Sequence, residues 1–136
     1  GKIDVVSYVA VDDCGVIINP MIVAGQVHGG VAMGLGQALT ERTVYDPETA
    51  QLLTGSYMDY GMPRADDFPD MEVSFNIVRN PSNELGVKGI GEGGACGAPP
   101  AIIGAISDAL GIVHIDMPVS SQDVWQILQK KKIAAE

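Results

Sequence analysis

Residues 86–97 read GVKGIGEGGACG, six glycines among twelve residues with a single carboxylate, Glu92, in their midst. Glycine loses more backbone freedom on folding than any other residue, so a run this dense marks a tight chain path or the close approach of something bound. Lys88 is the only other charged residue in the run. A lone acid on a glycine scaffold has few neighbours to shield it or compete for it, and so presents one base to one ligand. The structural alternative is a carboxylate that caps the amides of its own glycine nest.

A literal GxGxxG, Gly89 to Gly94, lies within the same run, and Asp116 follows at about the interval of a ribose-binding acid. Its surroundings do not suit a dinucleotide-binding turn. The preceding NELGVK is not a buried strand, and Pro99-Pro100 fall where the fingerprint helix needs amide hydrogens. No Gly-Lys-Ser/Thr follows, so a phosphate-binding Walker loop fails as well. A nucleotide-binding module is the weakest of the functional readings.

The second chemically suggestive stretch is PMIVAGQVHGGVAMGLGQAL, residues 20–39, which carries no charge. Asn19-Pro20 supplies a helix N-cap and a proline at the first helical position. The Gly25/Gly29 and Gly30/Gly34 pairs mimic the close-contact spacing of membrane helices. Gln26, His28 and Gln37 are expensive in lipid, however, and neither flank is basic. The stretch therefore reads as a buried helix whose small face admits another backbone or a ligand. A buried Gln26 needs partners for donors and acceptor alike, which leaves a ligand contact and a structural hydrogen bond equally open. His28 reads as a core histidine on an apolar helix, and His114 as a strand residue.

Other elements must position these groups. Residues 3–11, IDVVSYVAV, and 71–78, MEVSFNIV, read as strands, the first ending at the Asp12-Asp13-Cys14-Gly15 turn. Thr43–Tyr45 and Gln51–Met58 flank Asp46-Pro47-Glu48-Thr49 like a hairpin, and 61–70 is an acidic, proline-containing loop. Pro99-Pro100 opens a helix over Ala101–Leu110, residues 112–115 form a short strand, and Ser120 or Ser121 caps a last helix with Val124, Ile127 and Leu128 on one face. Strands and helices mix without clean βαβ alternation, which gives an α+β class. Residues 1–136 are expected to form a single, partial domain.

With 8 basic against 17 acidic residues and a net charge of −9, nucleic acid and anionic membrane surfaces are poor partners. Hydrophobic residues at 46% suffice for a core. Cys14 and Cys96 lack metal-type spacing and are expected to be reduced thiols of an intracellular protein. No initiator Met or signal peptide opens the chain, which reads as a piece of something longer.

Several blocks, in order, carry a family resemblance. Asp13-Cys14-Gly15, Ile18-Asn19-Pro20, GQVHGGVAMGLGQAL, LLTGSYMDYGMPRA and LGVKGIGEGGACGAPPAIIGAISDAL together resemble the C-terminal end of the large, molybdenum-binding subunit of the xanthine oxidase family. The likeness is greatest to the branch of aerobic carbon monoxide dehydrogenases and bacterial aldehyde or N-heterocycle hydroxylases. The resemblance implies an oxidoreductase that uses molybdopterin cytosine dinucleotide with molybdenum to hydroxylate an aldehyde, an N-heterocycle or CO with oxygen from water. Glu92 matches the glutamate of the KGxGE block, the general base beside the metal. Gln26 matches the glutamine that approaches the apical oxo ligand, and Gly91 the residue whose backbone lines that pocket. No residue of this chain is expected to ligate the metal. Electrons would leave through 2Fe-2S clusters and FAD on partner subunits, in a cytoplasmic dimer of heterotrimers. Alone, the chain carries one wall of the site and is expected to be inactive. The alternative is a non-catalytic structural or docking domain that keeps the fold.

Overall fold

The structure, a computed structural model, describes residues 1–135. In chain order it comprises β1 (Tyr8–Asp12), α1 (Pro20–Leu39), a 3₁₀ turn over Ala65–Asp67, β2 (Met71–Phe75), α2 (Gly93–Leu110) and α3 (Ser121–Ala135). This is the α+β class expected. The two strands run parallel, Tyr8 opposite Met71 through Asp12 opposite Phe75, so α1 and the long segment after it form a crossover connection.

α1 begins as its local sequence dictates. Asn19 is extended, and its Oδ1 accepts a hydrogen bond from the Ile22 amide at 3.1 Å, with Pro20 occupying the first helical position. Among the described residues no helix is long and apolar enough to cross a membrane. α1 instead packs along α2. Val27, Val31, Leu35 and Ala38 interleave with Ala98, Ile102 and Ile106, and Val119 and Val124 close the same cluster.

The two helices meet backbone to backbone. A Cβ placed on Gly30 would lie 2.8 Å from the Ala95 nitrogen and 3.0 Å from the Gly94 Cα. One placed on Gly94 would lie 2.6 Å from the Val27 carbonyl oxygen. A turn further on, Gly34 faces Ala98 and the ring of Pro99. Gly30 against Gly94 and Gly34 against Ala98 advance together, so the helices run parallel and bring their N-terminal ends to the same side of the molecule.

α2 departs from expectation at its start. It opens at Gly93, and Pro99 and Pro100 lie inside it rather than before it. Proline removes an amide and crowds the preceding turn, so the Ala95 and Cys96 carbonyls lose their usual i+4 donors. The missing side chain of Gly34 makes room for the Pro99 ring. The helix that the prolines seemed to forbid after GxGxxG therefore exists. The dinucleotide reading still lacks its strand, because the residues ahead of the helix form turns and a single bridge, Gly15 opposite Val87.

Other expected strands are shorter or missing. β1 starts at Tyr8 rather than Ile3, because its partner strand starts at Met71 just after Pro69, which has no amide to donate. β2 stops at Phe75. Residues 112–115 are not a strand. No edge lies beside them, Val113 is fully exposed, and His114 pairs instead with Asp116 at 3.0 Å. The hairpin over 43–58 reduces to one antiparallel bridge, Tyr45 opposite Leu52, closed by Asp46 Oδ1 accepting from the Glu48 and Thr49 amides. α3 is capped as expected by Ser120, whose Oγ accepts from the Asp123 amide while Asp123 accepts from the Ser120 amide at 2.8 Å. Val124 is buried there, whereas Leu128 remains exposed.

The Gly30 contact yields a direct test. Replacing Gly30 with Leu drives a side chain into the Gly94–Ala95 backbone and is expected to cost about 1–3 kcal/mol or more. Gly25, on the same helix, would meet nothing within 4 Å, so Gly25→Ala is expected to be neutral or stabilising by up to about 1 kcal/mol. Urea denaturation of the 136-residue chain measures both; equal midpoints for the Gly30→Leu variant and the parent would refute the close approach.

Candidate active site

Glu92 stands at the N-cap of α2, where the glycine run turns into helix. Its backbone oxygen accepts the first helical bond, from the Cys96 amide at 2.9 Å. Its carboxylate makes no capping bond to the helix amides and is exposed. The capping alternative is therefore not the arrangement adopted.

Gln26 is exposed, not buried as its apolar helix suggested. The reason is the offset of the two parallel helices. α1 starts well before its Gly30 contact, α2 starts only at Gly93, and the first turns of α1 project beyond α2 with Met21 and Ile22 also bare. Gln26 lies one turn before Gly30 on the same side of α1. Its Oε1 is 3.8 Å from where a Gly91 Cβ would sit, the only atom such a Cβ would meet within 4 Å. Gln26, Gly91 and Glu92 thus share one end of the helix pair. A Cβ on Gly25, Gly29, Gly89 or Gly97 would meet nothing within 4 Å. His28 is exposed on the same helix rather than packed in the core.

The entrance to the glycine run is held by polar contacts that sequence reasoning passed over. Asp13 Oδ1 accepts from the Gly15 amide at 2.9 Å and from the Val78 amide at 3.1 Å, and its Oδ2 pairs with Lys88 Nζ. The Lys88 amide donates to the Cys14 carbonyl at 2.9 Å. Gly86, at φ +71°, turns its carbonyl to accept from both Val16 and Asn80. The Lys88 ammonium, with help from the two amides, holds the Asp13 carboxyl down at about 2, below its ordinary 3.8. The signal available in the sequence was the pair of opposite charges flanking two glycine turns, Asp13 before Gly15 and Lys88 after Gly86. Asp12 was likewise passed over. Its Oδ1 would lie 3.4 Å from a Cβ on Gly93, while its buried Oδ2 has no hydrogen-bond partner. Burial first, and the Asp12 charge second, raise the pKa of Tyr8 on the same strand.

Among the described residues no three His, Cys, Asp or Glu side chains cluster as a metal-binding set, and both cysteines are free thiols. The sequence model of the molybdopterin cofactor-binding domain matches residues 1–69, a stretch that includes Asp13 and Gln26. The chain belongs to the molybdopterin cofactor-binding domain family.

Relatives extend the likeness through the glycine run. This molybdopterin cofactor-binding chain is 36% identical over 137 residues to the carbon monoxide dehydrogenase large chain of Hydrogenophaga pseudoflava, covering 98% of this chain and 17% of that one. It is 40% identical over 127 residues to the nicotine 6-hydroxylase large subunit of Paenarthrobacter nicotinovorans, covering 91% of this chain and 15% of the relative. Quinoline 2-oxidoreductase from Pseudomonas putida 86 superposes with a TM-score of 0.86 at 36% identity, over 93% of this chain and 16% of that one. The chain thus spans about one sixth of the length of the relatives it matches. The residues present suit a molybdopterin cofactor: glycines at 25, 29, 89 and 97 have no neighbours where a side chain would sit, which leaves room for a bulky group, and Gln26 and Glu92 offer an exposed amide and an uncapped carboxylate.

The depressed Asp13 titration sets an acid limb. A carboxyl whose folded pKa lies below its unfolded value stabilises the fold above the unfolded value, and that contribution fades as pH falls through the folded one. For Asp13 the window runs from about pH 4 down to about pH 2. Urea midpoints of Asp13→Asn are expected to fall less steeply than those of the parent across this window; parallel curves would mean that the pairing with Lys88 contributes nothing.

Proposed function

We propose that this chain forms the catalytic-base wall of a molybdenum hydroxylase, with Glu92 as the base and Gln26 and Gly91 as cofactor contacts. One observation carries this reading: within a molybdopterin cofactor-binding fold, the exposed Gln26 side chain lies 3.8 Å from a Cβ position on Gly91, the residue next to a Glu92 carboxylate that makes no capping bond. The cofactor, when bound, supplies the redox centre and the oxygen nucleophile; we assign it as molybdopterin cytosine dinucleotide with molybdenum.

The residues of this chain supply the rest. Glu92 takes up a proton at its carboxylate, and a base serves best when no internal donor competes for its lone pairs. The Lys88 ammonium is turned toward Asp13. Gln26 reaches out with an amide that donates as well as accepts, suited to an oxo group. Gly91 carries no Cβ, so the cofactor approaches the backbone directly. The substrate is an aldehyde, an N-heterocycle or CO, in keeping with relatives whose names specify carbon monoxide, nicotine and quinoline. In the complete enzyme this wall joins the rest of a large subunit, and electrons pass to 2Fe-2S and FAD partners in a cytoplasmic dimer of heterotrimers. The 136 residues alone are inactive, because they span so little of their relatives.

Two substitutions in the complete enzyme test the assignment. Glu92→Gln preserves size and removes the base, so molybdenum content should hold while the reductive half-reaction slows by about 10²–10⁴-fold. A rate within a few-fold of the parent at full loading would reduce the chain to a non-catalytic structural domain. Gln26→Ala deletes one hydrogen bond to a charged centre, worth about 1.5–3 kcal/mol, and should shift the molybdenum spectrum as well as slow turnover. An unchanged spectrum would return Gln26 to a structural role.

A further inference from the structure

We propose that Asp13 and Lys88 form a latch that positions Glu92, making Lys88 a positioning residue for proton transfer rather than a free loop charge. The inference rests on the reading of Glu92 as the base and assigns the support of that base to named residues.

The glycine run is anchored at two points. At its far end Gly94 is wedged against Val27 and Gly30 of α1. At its near end Lys88 is held twice, by its amide on the Cys14 carbonyl and by its ammonium on the Asp13 carboxylate. Between the anchors lie Gly89, Ile90, Gly91, Glu92 and Gly93. The Glu92 carbonyl is tied to α2 by the Cys96 amide, and Ile90 is held by the Gly93 amide and its own partly buried side chain, whereas the glycines at 89 and 91 offer no side chain to fix the path between. α2 holds the Glu92 backbone from one side, and the course of the chain into it from the other side depends on where the near anchor stands.

That anchor is more than a surface ion pair. The same Asp13 carboxylate holds the turn after β1 through Gly15 and the exit of β2 through Val78. One side chain therefore registers the entrance of the glycine run against both strands. Lys88 and Asp13 are each about one-third exposed, at 31% and 32%, so the pair is partly shielded from water. The asparagines that close the preceding loop do not replace it, since Asn80 and Asn83 bind Val87 and stop short of Lys88. With the ammonium engaged at Asp13, no cation of the run competes for the Glu92 carboxylate.

The test uses the complete, molybdenum-loaded enzyme. A misplacement of the order of an ångström costs up to about 10²-fold, so Lys88→Met is expected to lower kcat about 10- to 100-fold with KM and molybdenum content unchanged, and Lys88→Arg to restore most of the loss. Independently of activity, peptides covering residues 86–94 should exchange amide hydrogens faster in Lys88→Met. In the Glu92→Gln background Lys88→Met should add less than about twofold, because its effect runs through the base. If Lys88→Met fails to load the cofactor, Asp13→Glu keeps the charge pair but shifts the anchor by one methylene, and its kcat should fall while loading holds. Parental rates in Lys88→Met or Asp13→Glu overturn the latch, as does a Lys88→Met effect that multiplies in full onto Glu92→Gln. A Glu92→Gln variant at the parental rate overturns the base reading itself, whereas a slow Glu92→Gln beside a fast Lys88→Met removes only the latch.

Discussion

The contact of Gly30 with Gly94 sets the geometry of everything at the open end of this molecule. Two helices pack with their backbones touching because neither residue carries a Cβ, and a single added carbon on either side would fall within 3 Å of main-chain atoms. Gln26 stands one turn before that contact on α1, and Glu92 two residues before it on the other chain segment. The parallel course of the helices brings both to the same end. Had the helices run antiparallel, the amide and the carboxylate would lie at opposite ends of the pair.

The second constraint is the way charge is distributed around the glycine run. Asp13 draws in the one cation nearby and two backbone amides, and its carboxyl titrates low in consequence. Asp12, the last residue of β1, lies against the first turn of α2 at Gly93, with one oxygen unpartnered. The Glu92 side chain is exposed and makes no bond to the helix it caps. The outer face of the two-stranded sheet is also bare, with Val9 at 58% and Val11 at 64% exposure. A two-stranded parallel sheet is rarely stable uncovered, which agrees with a chain that spans one sixth of its relatives.

What could be read from the residues alone follows from how local each cause is. Asn19-Pro20 starts α1 through bonds made within one turn, and Ser120 caps α3 in the same way; both were legible. The KGIGEGG run was legible as a presented acid because glycine density and a lone charge are visible in one dimension. The start of α2 was not, because Pro99 is accommodated by a gap on a different helix, at Gly34. The strand expected at 112–115 failed for a related reason: β-propensity needs an edge to pair with, and none is beside it. Gln26 was misjudged as buried because helix hydrophobicity does not reveal how far one helix overhangs another. The Asp13–Lys88 pair joins residues far apart in the chain, and only the fold brings them together.

The claim that the Gly30–Gly94 contact brings a base and an amide to a cofactor face is tested most directly by a crystal structure of the complete enzyme with its molybdenum cofactor bound. The expected result is a Glu92 carboxylate and a Gln26 side-chain amide on either side of the metal's ligands, each within hydrogen-bond distance of them, with Gly91 in van der Waals contact. A cofactor bound elsewhere, with protein packed over the Glu92–Gln26 surface, would contradict it.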